Sequence, residues 1–424
     1  DKAPLRLHNR ELRRCFDVAS KLVKQECKLR NKIVPTFVEA VDLVTNTSSG
    51  YPHFVRKSEI VPKITSEART LFHHMKRLSR DRLGYPFVAP AAKGGLAEEG
   101  SGKTRLVWMY PAAMTMCEGV YAQPLIKEMY SQKKHLFLTG EDSFYRISQF
   151  MAEINEDKGD YGVGLDFTSF DKFPCVDLIY RAFEALDQNI DHGKYWDPIN
   201  GIKVGGSGVE SRSKKAFSNI VDYFVNTPMI LPNGRIVVKH IGVPSGSNFT
   251  NLIDSIVNRI LHYTFALHQK VLIKHLMTNG DDSVFLTNRD YNEDILSKAS
   301  TFFSDAFRMT VSVRKSCVAG TPGMMHCSGT MWLRQRNFRP TEEWFSLLMY
   351  PKSYVASVNE SFQRALGIGL AGGFRDHHYV RFFDYFQRGY DCWHGPSLLD
   401  WTKLRWLEFV FPITDLPLVY KQGD

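Results

Sequence analysis

Cysteine is scarce and unpatterned in this 424-residue chain. The seven cysteines at 15, 27, 117, 175, 317, 327 and 392 are odd in number, widely scattered and without a Cys-x2-Cys pair. Neither a disulfide framework nor a standard zinc site is therefore expected, and a reducing compartment suits the chain best. The neighbours His326 and Cys327, His377 and His378, and Cys392 and His394 lack four-ligand spacing and are expected to be structural. No apolar run approaches the length that spans a bilayer, so a soluble protein with no membrane partner is expected. Low-complexity linkers, internal repeats and heptad arrays are also missing, which argues for one compact body with subdomains. No signal peptide precedes Asp1, and the start reads as processed or fragmentary. The sequon Asn248-Phe-Thr250 lies in a Ser/Gly loop where a glycan would block chemistry, a further argument against secretion. A Walker A loop is missing too: Gly102-Lys103-Thr104 mimics its tail, but the full pattern does not end there.

What the chain does have is a large core and a positive balance. Hydrophobic residues at 43% and aromatics at 13% exclude disorder, and a net charge of +9 favours a polyanionic partner without deciding one. The organising stretch is Met277-Thr-Asn-Gly-Asp-Asp-Ser-Val-Phe-Leu286, where Asp281 and Asp282 sit at a turn between two apolar runs. Strands are expected over Ile273–Met277 and Val284–Leu286, with Asn279-Gly280 supplying the positive φ of a tight hairpin. Adjacent carboxylates repel unless something positive neutralises them, and hard divalent cations with oxygen ligands do so best. A lone Gly-Asp-Asp is more often an ordinary turn, so the metal reading needs a second carboxylate cluster. Tyr161–Asp171 provides it: a short apolar strand ends on Asp166, and Asp171 follows five residues later. Between the clusters, Gly242-Val-Pro-Ser245-Gly246-Ser-Asn-Phe-Thr250 is a Ser/Gly loop running into a helix with Leu252, Ile253, Ile256, Val257 and Ile260.

The order Asp-x4-Asp, Ser-Gly-x3-Thr, Gly-Asp-Asp resembles motifs A, B and C of the viral RNA-dependent RNA polymerases. Lys103-x-Arg105-x-Val-Trp-x-x-Pro111 closely resembles motif F of the partitivirus group, whose polymerases copy segmented double-stranded RNA inside a capsid. Its two cations would share a strand face and hold a triphosphate. The turn cluster Thr45–Pro52, with Ser49 and Gly50, looks like the template-guiding motif G. In the expected strand Met309–Cys317, Lys315 is the candidate for motif D. His326–Leu333, with Cys327, Ser328 and Gly329, resembles motif E, the primer grip. The resemblance implies an α+β right-hand fold with fingers, a palm on an antiparallel sheet, and a thumb closing on the fingers. Its expected division is 1–159 N-terminal extension and fingers, 160–187 palm, 188–240 fingers insertion, 241–333 palm and 334–424 thumb.

It also implies a reaction: a primer 3′-hydroxyl attacks the α-phosphate of a nucleoside triphosphate and pyrophosphate leaves. Two Mg²⁺ ions, for which Mn²⁺ can substitute, would be held by Asp166 and Asp281 with Asp282 assisting. Lys103, Arg105, Asp171, Ser245, Gly246, Thr250 and Asp254 would surround the nucleotide. The implied partners are an RNA template, its product duplex and viral capsid protein, in the virion interior or host cytoplasm. One departure concerns sugar choice, because the family pattern has Asn where this chain has Asp254. Either Asp254 faces Asp171, with a proton, a cation or the hydroxyl of Ser245 or Thr250 between them, or Asn251 or Asn258 takes the partner role. Rival readings fit less: a reverse transcriptase usually carries a bulky aromatic at the position of Gly280, a capsid or RNA-binding protein leaves the spaced carboxylates unexplained, and a nuclease leaves Lys103, Arg105 and Ser245 unexplained.

The basic helical stretches Asn9–Lys32 and Ser66–Arg82 are equally compatible with solvated faces and with phosphate contact. Helices are expected over Val176–Asp187 and Ile295–Phe307.

Overall fold

The Asn9 side chain accepts the Glu11 amide at 2.8 Å, and α1 (Arg10–Glu26) buries the stripe Leu12, Phe16, Ala19 and Val23 while its basic residues stay on the outer faces. The helix stops at Cys27 rather than Lys32. The structure, a computed structural model, describes residues 9–394 except 95–103, 139–142, 155–157, 289–294, 320–323, 328–329, 334–335, 352–354 and 356. Helix α2 (Val61–Arg77) begins five residues before the expected Ser66, because Pro62 fits the first helical turn, where no amide is needed. Arg80–Arg82 forms a separate 3₁₀ turn.

A two-stranded ladder follows, β1 (Ala89–Gly94) against β2 (Thr104–Met109), and then α3 (Ala112–Gln132) and α4 (Ser143–Ala152). The central strand β3 (Asp160–Leu165) is buried at every residue, as a strand covered on both faces should be. Helix α5 (Val176–Asp187) has the expected limits and buries Ile179, Phe183 and Leu186. Next come the hairpin β4 (Lys194–Asp197) and β5 (Gly201–Val204), α6 (Ser207–Val225), and the pair β6 (Pro228–Ile230) and β7 (Ile236–Val238). Helix α7 (Thr250–Gln269) packs against α1, α5 and strand β8 and is buried over most of its length. The strands β8 (His275–Asn279) and β9 (Asp282–Asn288) lead into α8 (Ile295–Phe307) and β10 (Cys317–Ala319).

These strands form an antiparallel sheet in the order β10-β3-β9-β8. The strand expected over Met309–Cys317 is a correction. Only Val311 bridges Phe167, and β10 begins at Cys317. Between them the Ser312 carbonyl accepts the Lys315 and Ser316 amides, which folds the chain into a turn. The apolar alternation there arises because Met309 and Val311 are buried, not because a ladder continues. Beyond lie β11 (Met324–Cys327), β12 (Thr330–Leu333) and β13 (Arg336–Phe338), a three-stranded antiparallel sheet. The helices α9 (Thr341–Met349), α10 (Val358–Leu370) and α11 (His377–His394) share a separate aromatic core of Trp344, Phe362, Tyr379 and Phe383. Among the described residues no helix is long and apolar enough to cross a membrane.

Candidate active site

Leu165 pairs with Ser283, so Asp166 leaves the end of β3 beside the tip of the β8–β9 hairpin. Its backbone is fixed on both sides: the amide donates to Ser316 Oγ at 3.0 Å, and the carbonyl accepts the Ser312 amide at 2.8 Å. The same turn carries Lys315, whose Nζ lies 3.8 Å from Asp166 Oδ1 with both groups facing solvent. An exposed pair this long contributes little stability, so its interest lies in where the charge sits.

The hairpin tip is a two-residue loop, Gly280-Asp281, closed by the pair Asn279 and Asp282. The positive φ falls on Gly280, at 61°, and not on Asn279. Helix α7 grips this tip along one face. Asn258 Nδ2 donates to the carbonyls of Gly280 and Asp281 at 3.0 and 3.1 Å, and Ser255 Oγ accepts the Gly280 amide at 2.8 Å. Asn251 Nδ2 donates to Asn279 Oδ1 and to the Tyr130 hydroxyl, both at 3.0 Å. Positions 251, 255 and 258 recur at helical spacing, so one stripe places Asp281 and Asp282 against the strand carrying Asp166. The side-chain nitrogens of Asn251 and Asn258, the alternative partners for the sugar, thus donate to the hairpin and its neighbour Tyr130, while Asn258 Oδ1 is buried without a partner.

Asp254 lies one helical step from Ser255 and is buried, with Oδ1 left without a hydrogen-bond partner. Burial, then the charges of Asp171 and Asp281, drive its pKa well above the carboxylate range, and Lys239 opposes them. Burial in turn pushes Lys239 down to about 7, against the pull of Asp254. Asp254 is thus within electrostatic range of Asp171 and of Lys239, a cation that sequence reasoning missed. Ser245 and Thr250 do not bridge the carboxylates. The Thr250 hydroxyl donates to the carbonyls of Pro244 and Ser247 at 2.6 and 2.9 Å, and Ser245 Oγ accepts the Trp108 amide of β2 at 3.2 Å.

Asp171 sits in a 3₁₀ turn, Phe170–Lys172, entered through Ser169 in the left-handed conformation. The Val243 amide donates to the Asp171 carbonyl at 2.7 Å, and the Lys239 ammonium to the Gly242 carbonyl at 2.5 Å. Gly242, at φ 81°, runs so close that a Cβ would lie 2.6 Å from the Asp171 carbonyl oxygen, so only glycine fits. Gly246 is equally confined, its Cβ position being 2.6 Å from the Trp108 carbonyl oxygen. The Ser/Gly loop is thus wedged between the turn of Asp171 and strand β2.

Glu118 of α3 is the second residue that the sequence did not disclose. Fully buried, it accepts the hydroxyls of Tyr110 and Ser247 at 2.7 and 2.8 Å and the Asn248 amide at 2.9 Å. Burial raises its pKa to about 7, with those three donors pulling the other way. The sequon residue Asn248 gives its side-chain amide to the Thr115 carbonyl at 2.7 Å. Ser49 and Gly50 dock on the same region. Ser49 is buried and its carbonyl accepts the Ala112 amide at 2.9 Å, while Gly50 lies against the Tyr110 carbonyl.

Arg105 is placed by its backbone opposite Lys93 in the β1–β2 ladder, and Cys327 opposite Thr330. Lys103, Ser328 and Gly329 lie outside the described residues. Among the described residues no three His, Cys, Asp or Glu side chains enclose a metal-sized space.

The geometry thus joins a strand-end carboxylate, a hairpin-tip carboxylate pair and a Ser/Gly loop, and the sequence profile described as viral RNA-dependent RNA polymerase matches residues 8–387. The chain belongs to that family. Viral RNA-dependent RNA polymerases generally use divalent metal ions. The RNA-directed RNA polymerase of Cryptosporidium parvum virus 1 (strain KSU-1) is 27% identical over 256 residues, 55% of this chain and 43% of that relative. The match therefore spans less than half of the relative's length. The crystal structure of the RNA-dependent RNA polymerase of a human picobirnavirus superposes with a TM-score of 0.68 at 18% identity, covering 95% of this chain and 75% of that one. The Sicinivirus 3Dpol RNA-dependent RNA polymerase gives a TM-score of 0.67 at 12% identity, covering 93% and 85%. These likenesses establish the α+β right-hand polymerase fold for this family member.

Proposed function

We propose that the protein is an RNA-directed RNA polymerase that copies and transcribes a viral RNA genome from nucleoside triphosphates. The observation that carries this reading is the juxtaposition of Asp166, at the end of β3, with the α7-held tip bearing Asp281 and Asp282. Carboxylate oxygens are the donors that hard divalent cations take, and Mg²⁺ commonly binds through one or two carboxylates with substrate phosphates and water completing its shell. Two Mg²⁺ ions, or Mn²⁺ in their place, on Asp166 and Asp281 with Asp282 assisting would neutralise charge at the attacking and leaving oxygens.

The chain's own groups do the rest. Lys315, beside Asp166, places positive charge where the departing pyrophosphate gains negative charge. Arg105, on the β1–β2 ladder that the Ser245–Gly246 loop buttresses through Trp108, holds the triphosphate together with Lys103. Asp171 and Asp254 receive the ribose. Ser49 and Gly50 guide template, and Cys327, Ser328 and Gly329 grip the primer end. The proposed division keeps 1–159 as N-terminal extension and fingers, 160–187 and 241–333 as palm, 188–240 as fingers insertion and 334–424 as thumb. The Lys103–Pro111 pattern supports a double-stranded RNA virus of partitivirus type, with capsid protein as partner and the virion interior or host cytoplasm as location.

The test is primer extension on an RNA template with four ribonucleotides and Mg²⁺. Asp166→Asn and Asp281→Asn are expected to lower incorporation by roughly a thousandfold or more while RNA binding and the melting transition persist, since these groups stabilise the transition state and pack no core. Near-wild-type extension by either variant would overturn the assignment.

A further inference from the structure

Away from the carboxylate centre, α2, α3, α6, strand β4 and residues 35–39 line an open cavity of 590 Å³. Small-molecule sites typically measure roughly 300–1,000 Å³. Its wall is strongly cationic. Arg69 and Lys194 are neutralised there by Glu39 at 2.6 Å and Asp191 at 2.9 Å. Lys76 and Arg77 of α2 and Arg212 of α6 also line it, and among the described residues none of the three has a carboxylate within ion-pair distance. Lys76 instead places its ammonium 4.2 Å above the Phe72 ring.

The crowding is felt by the neighbours. Burial and then the charges of Arg212 and Arg77 press the Lys76 pKa down, and burial with Lys76 and Arg77 does the same to His73. Lys76, partly buried beside the two exposed guanidiniums, is held as a cation at a cost that an anion would offset. The lining is also aromatic. Tyr195 and Trp196 of β4 line it and remain 39% and 42% exposed. A multiply charged anion joined to a planar ring fits this pairing, with guanidinium forks for phosphate oxygens and an indole face for a base.

We propose that this cavity is a second nucleotide site, sharing no residue with the Asp166–Asp281 centre and taking a phosphate-bearing nucleotide. The nucleotide is either free or part of a single-stranded RNA. Phosphates sit against Lys76, Arg77 and Arg212, and the base stacks on Trp196. Arg77 and Arg212 are exposed, so reversing their charge leaves the core of the fold untouched.

The test photocrosslinks the full chain with an azido-ATP and, separately, with a short single-stranded RNA carrying 4-thiouridine, and maps the adducts by mass spectrometry. Adducts are expected within residues 194–213 and should be competed by inorganic triphosphate. They are expected to fall about tenfold or more in R77E/R212E and in Trp196→Ala, which remove charge-assisted contacts and base stacking respectively. Both variants should keep wild-type melting and primer extension. An azido-ATP adduct assigns a free nucleotide, whereas an RNA adduct that excess ATP does not displace assigns a strand. Failure of both probes to label the segment, or labelling undiminished in R77E/R212E, overturns the site. Labelling lost in R77E/R212E but unaffected by Trp196→Ala shows a bare anion pocket and overturns the nucleotide assignment.

Discussion

Asp254 stands where the family pattern has Asn, in the proposed sugar site. Burial and the charges of Asp171 and Asp281 favour its protonated form. A neutral carboxyl offers one donor and one acceptor, as an asparagine amide does. Asp171 can accept a hydrogen bond from a ribose 2′-hydroxyl, and a site built for that bond discriminates strongly against its absence. Asp171→Ala is therefore expected to lower the ribonucleotide over deoxynucleotide ratio of kcat/KM roughly tenfold or more, the worth of one hydrogen bond to a charged group. Asp254→Asn should leave that ratio within about threefold, and Asp254→Leu should collapse it. A ratio unmoved by Asp171→Ala would assign sugar choice to other residues. Asp166, Asp171, Asp281 and the Ser/Gly loop were legible because their spacing is local and their residue types are unusual. Lys239 was not, because a single lysine between β7 and the loop has no pattern; only the folded chain brings it toward a carboxyl fifteen residues on.

Elements set the carboxylates through two anchors on helices. The first is the α7 stripe beneath the hairpin. Asn258→Ala would leave the Gly280 and Asp281 carbonyls without their donor, at about 1–3 kcal/mol, and loosen the tip that carries the proposed metal-binding pair. The expected result is a kcat lowered at least about tenfold with nucleotide KM little changed, because positioning of the reacting groups is lost. A KM effect alone would show that the stripe serves substrate binding instead. The second anchor is Glu118 beneath the Ser/Gly loop. With its pKa raised from the ordinary 4.5 to about 7, the folded protein retains a proton that the unfolded chain releases between those values. The associated stability is full below pH 4.5 and is lost as pH rises through 7, by at most roughly 3 kcal/mol. Glu118→Gln keeps the shape and removes the titration, so its melting temperature should gain on wild type between pH 5 and 8; parallel curves would refute the buried titration. Helices α5 and α8 were readable to the residue from apolar periodicity. The false strand at Met309–Cys317 shows the limit: burial of alternate residues has the same signature whether or not a partner strand pairs with them.

At the scale of the molecule, one buried arginine ties the N-terminal helix to the sheet. Arg259 of α7 is 1% exposed and donates to Glu26 of α1 at 2.7 Å, to the Leu276 carbonyl of β8 at 2.7 Å, and to the Leu136 carbonyl after α3 at 3.2 Å. Tyr263 adds its hydroxyl to Glu26 at 2.6 Å. Four segments thus meet on one guanidinium whose fork geometry matches them. No sequence pattern announced it, since the two charged partners lie 233 residues apart and α1 was read only as a basic helix. The two halves of the pair are unequal, because the Glu26 side chain is 31% exposed and Arg259 is sealed. Removing the carboxylate strands a buried cation, which typically costs about 3–5 kcal/mol, whereas a carboxylate left behind at the rim can be hydrated. Glu26→Ala is therefore expected to lower the urea midpoint more than Glu26→Gln, which still accepts from the guanidinium. Extension activity per folded molecule should persist in both, because the pair ties α1 to α7 and β8 and lies outside the proposed substrate contacts. Equal midpoints for Glu26→Ala and wild type would show that α1 contributes apolar packing alone and that Arg259 finds its neutralisation elsewhere.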